Sequence, residues 1–276
     1  MPLAHLAETD LFYETRGDAG DPVVLVHGSL VDRSVWARLI PLLSQSVTVL
    51  TYDRRGFGAS PSGATSRPVK TDVADLAHLL EALDLFPVHL ITHSYGGSVA
   101  FRLASERPEL VRSLSIHEPP LLGLLADQAS TATEGHRLLD EVSTICDQVR
   151  DGKSVEAARE VVEVFSTEPG AWERLPPSTR EEFAGRMNRW REEYSDPDSL
   201  RLPPGLLSEL MLPILLTSGS ESPRFLTDIR HVLTAQLPNV TELQLPGAGH
   251  APHVTHPSEY AGLLLSFLLE RNVPTH

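Results

Sequence analysis

Short apolar runs alternate with longer amphipathic stretches through the first 120 residues of this chain. VVLVHG (23–28), VTVLTYD (47–53), VHLITHS (88–94) and SLSIHE (113–118) are brief and largely rich in β-branched residues, the pattern of strands buried on both faces of a parallel sheet. LAHLA and LFYET, either side of Thr9 and Asp10, predict an opening hairpin. TDVADLAHLLEALD predicts a crossover helix with Asp72 as its N-cap, and GGSVAFRLASERP predicts another that stops at Pro108. After EPPLL the strand signals cease. Leu138, Val142, Ile145 and Val149 recur on one helical face, and Phe183, Met187, Trp190 and Tyr194 on another. EPGAWERLPPS (168–178) and DPDSLRLPPG (196–205) interrupt these helices with proline and read as loops. Strand character returns in LPILLTSG (212–219) and VTELQLPGAGH (240–250), with helices near 224–236 and 258–270. The pattern predicts an α/β fold: a mostly parallel central sheet flanked by helices and interrupted by an all-helical insertion. The segments are a core over 1–120, the insertion over 121–208 and the rest of the core over 209–276.

Composition narrows the partners. The net charge of −14, from 23 basic and 37 acidic residues, repels nucleic acid and anionic membrane surfaces. The one adjacent arginine pair, in DRR (53–55), reads as structural. A single cysteine, Cys146, forms no intramolecular disulfide, and its helical setting suits a buried thiol. MPLAHLAETD lacks the basic and apolar regions of a secretion signal, and no apolar run approaches the roughly 20 residues of a membrane span. A cytoplasmic location is expected.

Chemistry enters at Thr92-His93-Ser94-Tyr95-Gly96. A serine between a strand and a helix, followed by Gly96 and Gly97, suits a tight turn that thrusts its hydroxyl out of the sheet. Thr92 departs from the glycine usual at the first position of G-x-S-x-G; the competing reading is a serine at a helix N-cap. Three further features accompany it in order: LVHG (25–28) at one strand end, YDRRGFGAS (52–60) at the next, and LPGAGHAPHVTHP at the last. Together they resemble the α/β-hydrolase fold family, over about 20–120 and 210–270.

The resemblance implies Ser94 as nucleophile, His250 as general base, and the backbone N–H groups of Ser29 and Tyr95 as the oxyanion hole. An imidazole titrating near neutrality takes the serine proton and returns it to the leaving group. His27 and the DRRGFGAS loop are expected to brace turns, with Gly56 and Gly58 at positive φ. His93 and His117 read as packing or pocket-lining groups. His250, His253 and His256 form H-x-x-H-x-x-H, but Pro252 and Pro257 bar the regular helix that would align them, so no metal is expected.

The acid is less regular. The family usually places aspartate after the strand read as PILLTSG, where this chain has Gly219-Ser220-Glu221-Ser222-Pro223, with Ser222 at the aspartate position. Glu118, at the end of the strand beside that of Ser94, is preferred over Glu221, because neighbouring strand tips face one crevice. Some haloalkane dehalogenases and zearalenone-type lactone hydrolases are similar in drawing their acid from this neighbouring strand end. In the resemblance the insertion is a cap over the site, and Trp172, Phe183, Met187, Trp190 and Tyr194 are candidates to line an apolar substrate cavity. The expectation is a cofactor-independent serine hydrolase of a carboxylic ester or lactone of a moderately apolar small molecule, a lactone being slightly preferred. A serine argues against the dehalogenase and epoxide hydrolase chemistries of the family, which use aspartate. A non-hydrolytic lyase, cyclase or acyltransferase, or a silent ligand receptor, are the alternatives.

Overall fold

Along each central strand, successive apolar side chains are sent to opposite faces of one sheet, and each face buries its own core. Val24 and Val26, Leu90, Leu114 and Ile116, and Ile214 and Leu216 pack on one side. Val23 and Leu25, Val49, Ile91 and Leu215 pack on the other. This period of two, with apolar residues at both phases, is why the runs read as continuous rather than alternating. The computed structural model describes residues 2–62 and 68–270; positions 271–276 of the predicted last segment lie outside them.

The strands are β1 (Leu3–His5), β2 (Asp10–Arg16), β3 (Pro22–Val26), β4 (Thr48–Tyr52), β5 (Val88–His93), β6 (Val111–His117), β7 (Ile214–Gly219) and β8 (Val240–Leu245). They form an eight-stranded sheet in the order β1-β2-β4-β3-β5-β6-β7-β8. β1 and β2 pair antiparallel, as the opening hairpin predicts, β2 lies antiparallel to β4, and the remaining pairs are parallel.

Three helices cover the first face, α2 (Val69–Ala82), α3 (Tyr95–Glu106) and α10 (Arg224–Gln236). The short α1 (Ile40–Leu43) and α12 (Pro257–Glu270) cover the second. Between β6 and β7 run α4 (Leu122–Ala126), α5 (Ala132–Arg150), α6 (Ser154–Val164), α7 (Ala171–Arg174), α8 (Pro177–Tyr194) and α9 (Leu206–Glu209), with no described strand among them. A last short helix, α11 (Pro252–Thr255), precedes α12. No described helix is long and apolar enough to cross a membrane, and Cys146 is buried.

Two local expectations change and a third holds. Asp72 is not an N-cap: α2 begins at Val69, and Asp72 lies inside its first turns, buried with Arg54 NH1 at 3.1 Å. EPGAWERLPPS is not all loop, because α7 forms after Gly170 in the left-handed conformation and α8 opens at Pro177. Pro252 and Pro257 break the H-x-x-H-x-x-H tract as expected: each opens a separate helix, where a first-turn proline forfeits an N–H that has no partner, and no helix spans His250 to His256.

Candidate active site

Ser94 is the residue between β5 and α3, with φ 53° and ψ −124°, a left-handed conformation that non-glycine residues rarely adopt. Holding it there costs on the order of 1–3 kcal/mol, which the surrounding structure must supply. Its N–H donates to the His117 carbonyl at 2.9 Å, tying the turn to the end of β6. The helix can start so close to the sheet because of Gly96, where an added Cβ would stand 2.5 Å from the Val26 carbonyl oxygen. Thr92 lies earlier, within β5, paired with Val26 and Ile116 and wholly buried.

The register of the sheet brings Glu118 to the same sheet end as Ser94. His93 of β5 is paired with His117 of β6, so the residues that follow them, Ser94 and Glu118, leave adjacent strands at the same level. Glu118 is also left-handed, φ 46°. Its Oε2 accepts from His250 Nδ1 at 2.8 Å, and its Oε1 accepts from the Gly219 N–H at 2.8 Å. Burial alone would raise this carboxyl, but the adjacent His117 and the hydrogen bonds it receives outweigh burial and hold it well below the usual carboxylate range. Glu221 is exposed, and its carboxylate accepts from its neighbour Ser220 at 3.1 Å. Ser222 is buried and makes no described side-chain hydrogen bond.

His250 comes to Glu118 because the turn after β8 packs tightly on the end of β7. An added Cβ on Gly219 would meet the Ala248 carbonyl oxygen at 2.1 Å, so only glycine allows the approach. His93 donates from Nε2 to the His250 carbonyl at 2.8 Å, and its ring lies 4.6 Å from that of His250. His253 packs between Trp36 and His93, each at 4.6 Å between ring centres, and neither of its nitrogens has a described hydrogen-bond partner. Burial drives both His93 and His253 well below the usual histidine range, so both are neutral. His93 is thus a packing and cavity-lining group as the sequence suggests, whereas His117, with Nδ1 3.0 Å from Thr217 Oγ1, turns Nε2 to within 3.5 Å of Glu118 Oε2.

His117, Glu118 and His250 offer potential metal-ligand atoms within 4.8 Å of one another. In this arrangement His250 Nδ1 is already the donor to Glu118. The H-x-x-H-x-x-H tract does not converge: His253 is buried, whereas His256 bonds Thr255.

Opposite Ser94, His27 and Arg54 fix the Gly28–Ser29 peptide. The Gly28 carbonyl accepts from His27 Nδ1 at 2.8 Å and from Arg54 NH2 at 2.9 Å, and the Arg54 N–H donates to His27 Nε2 at 3.0 Å. In a trans peptide the N–H points opposite its carbonyl, so the Ser29 N–H is directed away from Arg54. Gly28 lies close against the turn of Ser94: a Cβ there would be 3.0 Å from Ser94 Cβ. Gly56 and Gly58 both have positive φ, as expected for the brace formed by this loop.

A cavity of about 690 Å³ opens between this end of the sheet and the helical insertion. Ser29, His93, Ser94 and His250 lie on its floor, and Phe165, Phe183, Trp190 and Tyr194 on its apolar wall. Phe183 and Trp190 thus line the cavity as the sequence suggests. Trp172 and Met187 do not, because both are buried in the packed core of the insertion, Met187 turned away from the cavity on α8. Sequence reading missed Phe165, whose ring lies 4.8 Å from that of His250 at 31°: it continues the Ala158, Val161, Val162 stripe at the end of α6, and helical spacing alone does not say that this stripe reaches the site. The Tyr194 phenol accepts from Ser29 Oγ at 3.4 Å and shares the cavity with Ser94.

The profile of the alpha/beta hydrolase family matches residues 23–263. The chain therefore belongs to the α/β-hydrolase family. It is 40% identical over 105 residues to a 2-hydroxy-6-oxo-2,4-heptadienoate hydrolase of Pseudomonas putida, covering 35% of this chain and 36% of the relative. It is 37% identical over 106 residues to a soluble epoxide hydrolase of Corynebacterium, covering 38% and 37%. The chain thus spans less than half the length of these curated relatives. The enol-lactonase of Burkholderia xenovorans superposes with a TM-score of 0.75 at 18% identity, covering 97% of this chain and 100% of that one.

Proposed function

We propose that the protein is a serine hydrolase that cleaves a carboxylic ester or lactone of a moderately apolar small molecule through an acyl-enzyme. The observation that carries this reading is the 2.8 Å contact of His250 Nδ1 with buried, ionised Glu118, beside a serine held on a left-handed strand-to-helix turn. With Nδ1–H committed to Glu118, the other nitrogen, Nε2, is the proton acceptor. Ser94 Oγ attacks the carbonyl carbon as His250 takes its proton, and Glu118 stabilises the imidazolium. The N–H groups of Ser29 and Tyr95 receive the oxyanion, His250 returns the proton to the departing alkoxide, and water repeats the sequence on the acyl-enzyme. These steps require no cofactor.

Epoxide opening is disfavoured by the nucleophile itself: attack by serine on an epoxide carbon gives an alkyl ether, which has no carbonyl for water to attack. The apolar wall favours a neutral, moderately apolar acyl group against Phe183 and Trp190. Arg186 lines the same cavity but is engaged by Asp32 at 2.6 Å and by the Leu30 carbonyl at 2.7 Å, so it offers no free charge to an anion. A lactone remains the preferred substrate within this class.

The test is a panel of aryl esters of increasing acyl length and a lactone series, assayed with wild type, Ser94→Ala, Glu118→Gln and Glu221→Gln. Ser94→Ala is expected to abolish turnover. Glu118→Gln, which keeps the shape and removes the charge, is expected to lower kcat by about 10⁴-fold, and Glu221→Gln to change little. Full turnover by Ser94→Ala would overturn the mechanism, and a normal Glu118→Gln beside an inactive Glu221→Gln would reverse the assignment of the acid.

A further inference from the structure

The geometry points to Tyr194, at the end of α8, as a third hydrogen-bond donor to the oxyanion, contributed by the helical insertion; this inference rests on the serine-hydrolase reading above. The phenol stands at the centre of the site: Ser29 Oγ donates to it at 3.4 Å, and it lines the same cavity as Ser94 and His250. Because the Ser29 hydroxyl occupies an acceptor position on the phenol oxygen, the phenol proton is free to point into the cavity that Tyr194 shares with Ser94. When Ser94 Oγ becomes bonded to the acyl carbon, the carbonyl oxygen is one bond further along. A donor beside Ser29, on the cavity into which Ser94 opens, then faces that oxygen as charge develops on it.

The chemistry suits a donor that keeps its proton. Tyr194 is buried, and burial pushes its phenol above the ordinary tyrosine range, so it is neutral at any working pH. A neutral O–H fixed in an apolar wall stabilises the oxyanion and adds no charge to the resting site.

The ring is held by two aromatic neighbours and by the anchoring of the residue before it. It stacks on Trp190 at 4.5 Å and 24°, and lies 6.1 Å from the Tyr95 ring. The preceding residue, Glu193, pairs with Arg54 NH1 at 2.7 Å, and Arg54 NH2 donates to the Gly28 carbonyl. The end of α8 is therefore registered against the same peptide that presents the Ser29 N–H. A substrate carbonyl would meet two donors from the sheet framework and one from the insertion, so the complete oxyanion site exists only when α8 is seated.

The experiment compares wild type, Tyr194→Phe and Ser94→Ala on the best aryl ester, and measures inhibition by an aryl trifluoromethyl ketone, whose Ser94 adduct carries the oxyanion. Tyr194→Phe keeps the stacked ring, so its melting temperature is expected to match wild type. Its kcat should fall about a hundredfold with KM little changed. The ketone inhibition constant should rise by a similar factor, and the pH profile of kcat/KM should keep its shape. Unchanged kcat and ketone affinity, or a rise in KM alone, would overturn the role of Tyr194. Failure of the serine-hydrolase reading shows separately: Ser94→Ala would retain turnover, or wild-type Ser94 would resist both the ketone and a fluorophosphonate probe.

Discussion

The two glycines after Ser94 are explained by what stands opposite them. A Cβ on Gly96 would be 2.5 Å from the Val26 carbonyl oxygen, and one on Gly97 would be 2.8 Å from Pro119 Cβ. The first obstacle is backbone of the central sheet and cannot yield without moving β3. Gly96→Ala is therefore expected to lower stability by about 1–3 kcal/mol, read as a lower urea midpoint, and to reduce activity by displacing Ser94. A variant with wild-type midpoint and turnover would show that the turn has slack. Thr92, the departure from the usual small-residue pattern, sits in the strand rather than at this contact. Ser222 is the more consequential departure. On the proposed reading the carboxylate missing at Ser222 comes not from Glu221, the preceding residue in an exposed turn, but from Glu118 at the end of β6, 2.8 Å from His250 Nδ1.

At the scale of elements, α8 is joined to the sheet by buried charge. Arg54 lies between Asp72 of α2 at 3.1 Å and Glu193 of α8 at 2.7 Å, all three almost fully enclosed. Burial opposes the charge on Arg54, but Glu193 and Asp72 outweigh it. Arg54→Met would strand the Glu193 carboxylate and leave Asp72 only Arg189 at 3.5 Å as a cation, at a cost of about 3–5 kcal/mol, measurable by urea unfolding. Adding Glu193→Leu should restore part of that loss, because the stranded charge is removed. Strictly additive losses in the double variant would mean that the two residues do not interact. The sequence reading of DRR as structural agrees with this network, but the placing of Asp72 at a helix N-cap does not. Local propensity favours aspartate at a cap, and nothing within ten residues reveals the arginine that draws it inside.

For the whole molecule, acid sensitivity follows from neutral histidines enclosed in the fold. His27, His93 and His253 are all held well below the ordinary histidine value, chiefly by burial. Below about pH 6.5 the unfolded chain binds protons at these positions while the folded chain does not, so stability falls as pH drops through that window. Glu118 adds a second loss, beginning below its ordinary value of 4.5, because its folded carboxyl is depressed. Thermal unfolding followed from pH 8 to pH 5 is expected to show this decline in wild type. His253→Leu, which removes a ring with no described hydrogen bond, should flatten it; an identical slope in the variant would exclude His253 as a contributor.

The sequence alone determined the order and type of the strands, the helical insertion between β6 and β7, and the turn that carries Ser94. Period-two burial, proline stops and glycine clearances are local consequences of backbone geometry, so they are written in consecutive residues. It also favoured Glu118, since a parallel sheet makes neighbouring strand tips coincide, but sheet register was needed to bring His250 Nδ1 within 2.8 Å of it. Tertiary structure decided which face of α8 meets the cavity, separating Phe183 and Trp190 from Met187, and it brought Phe165 onto the His250 ring. It likewise joined Tyr194 to Ser29 across 165 residues. Helical spacing states only that such side chains share a face or neighbour one another; what that face covers depends on how distant elements pack, and no stretch of this chain carries that information by itself.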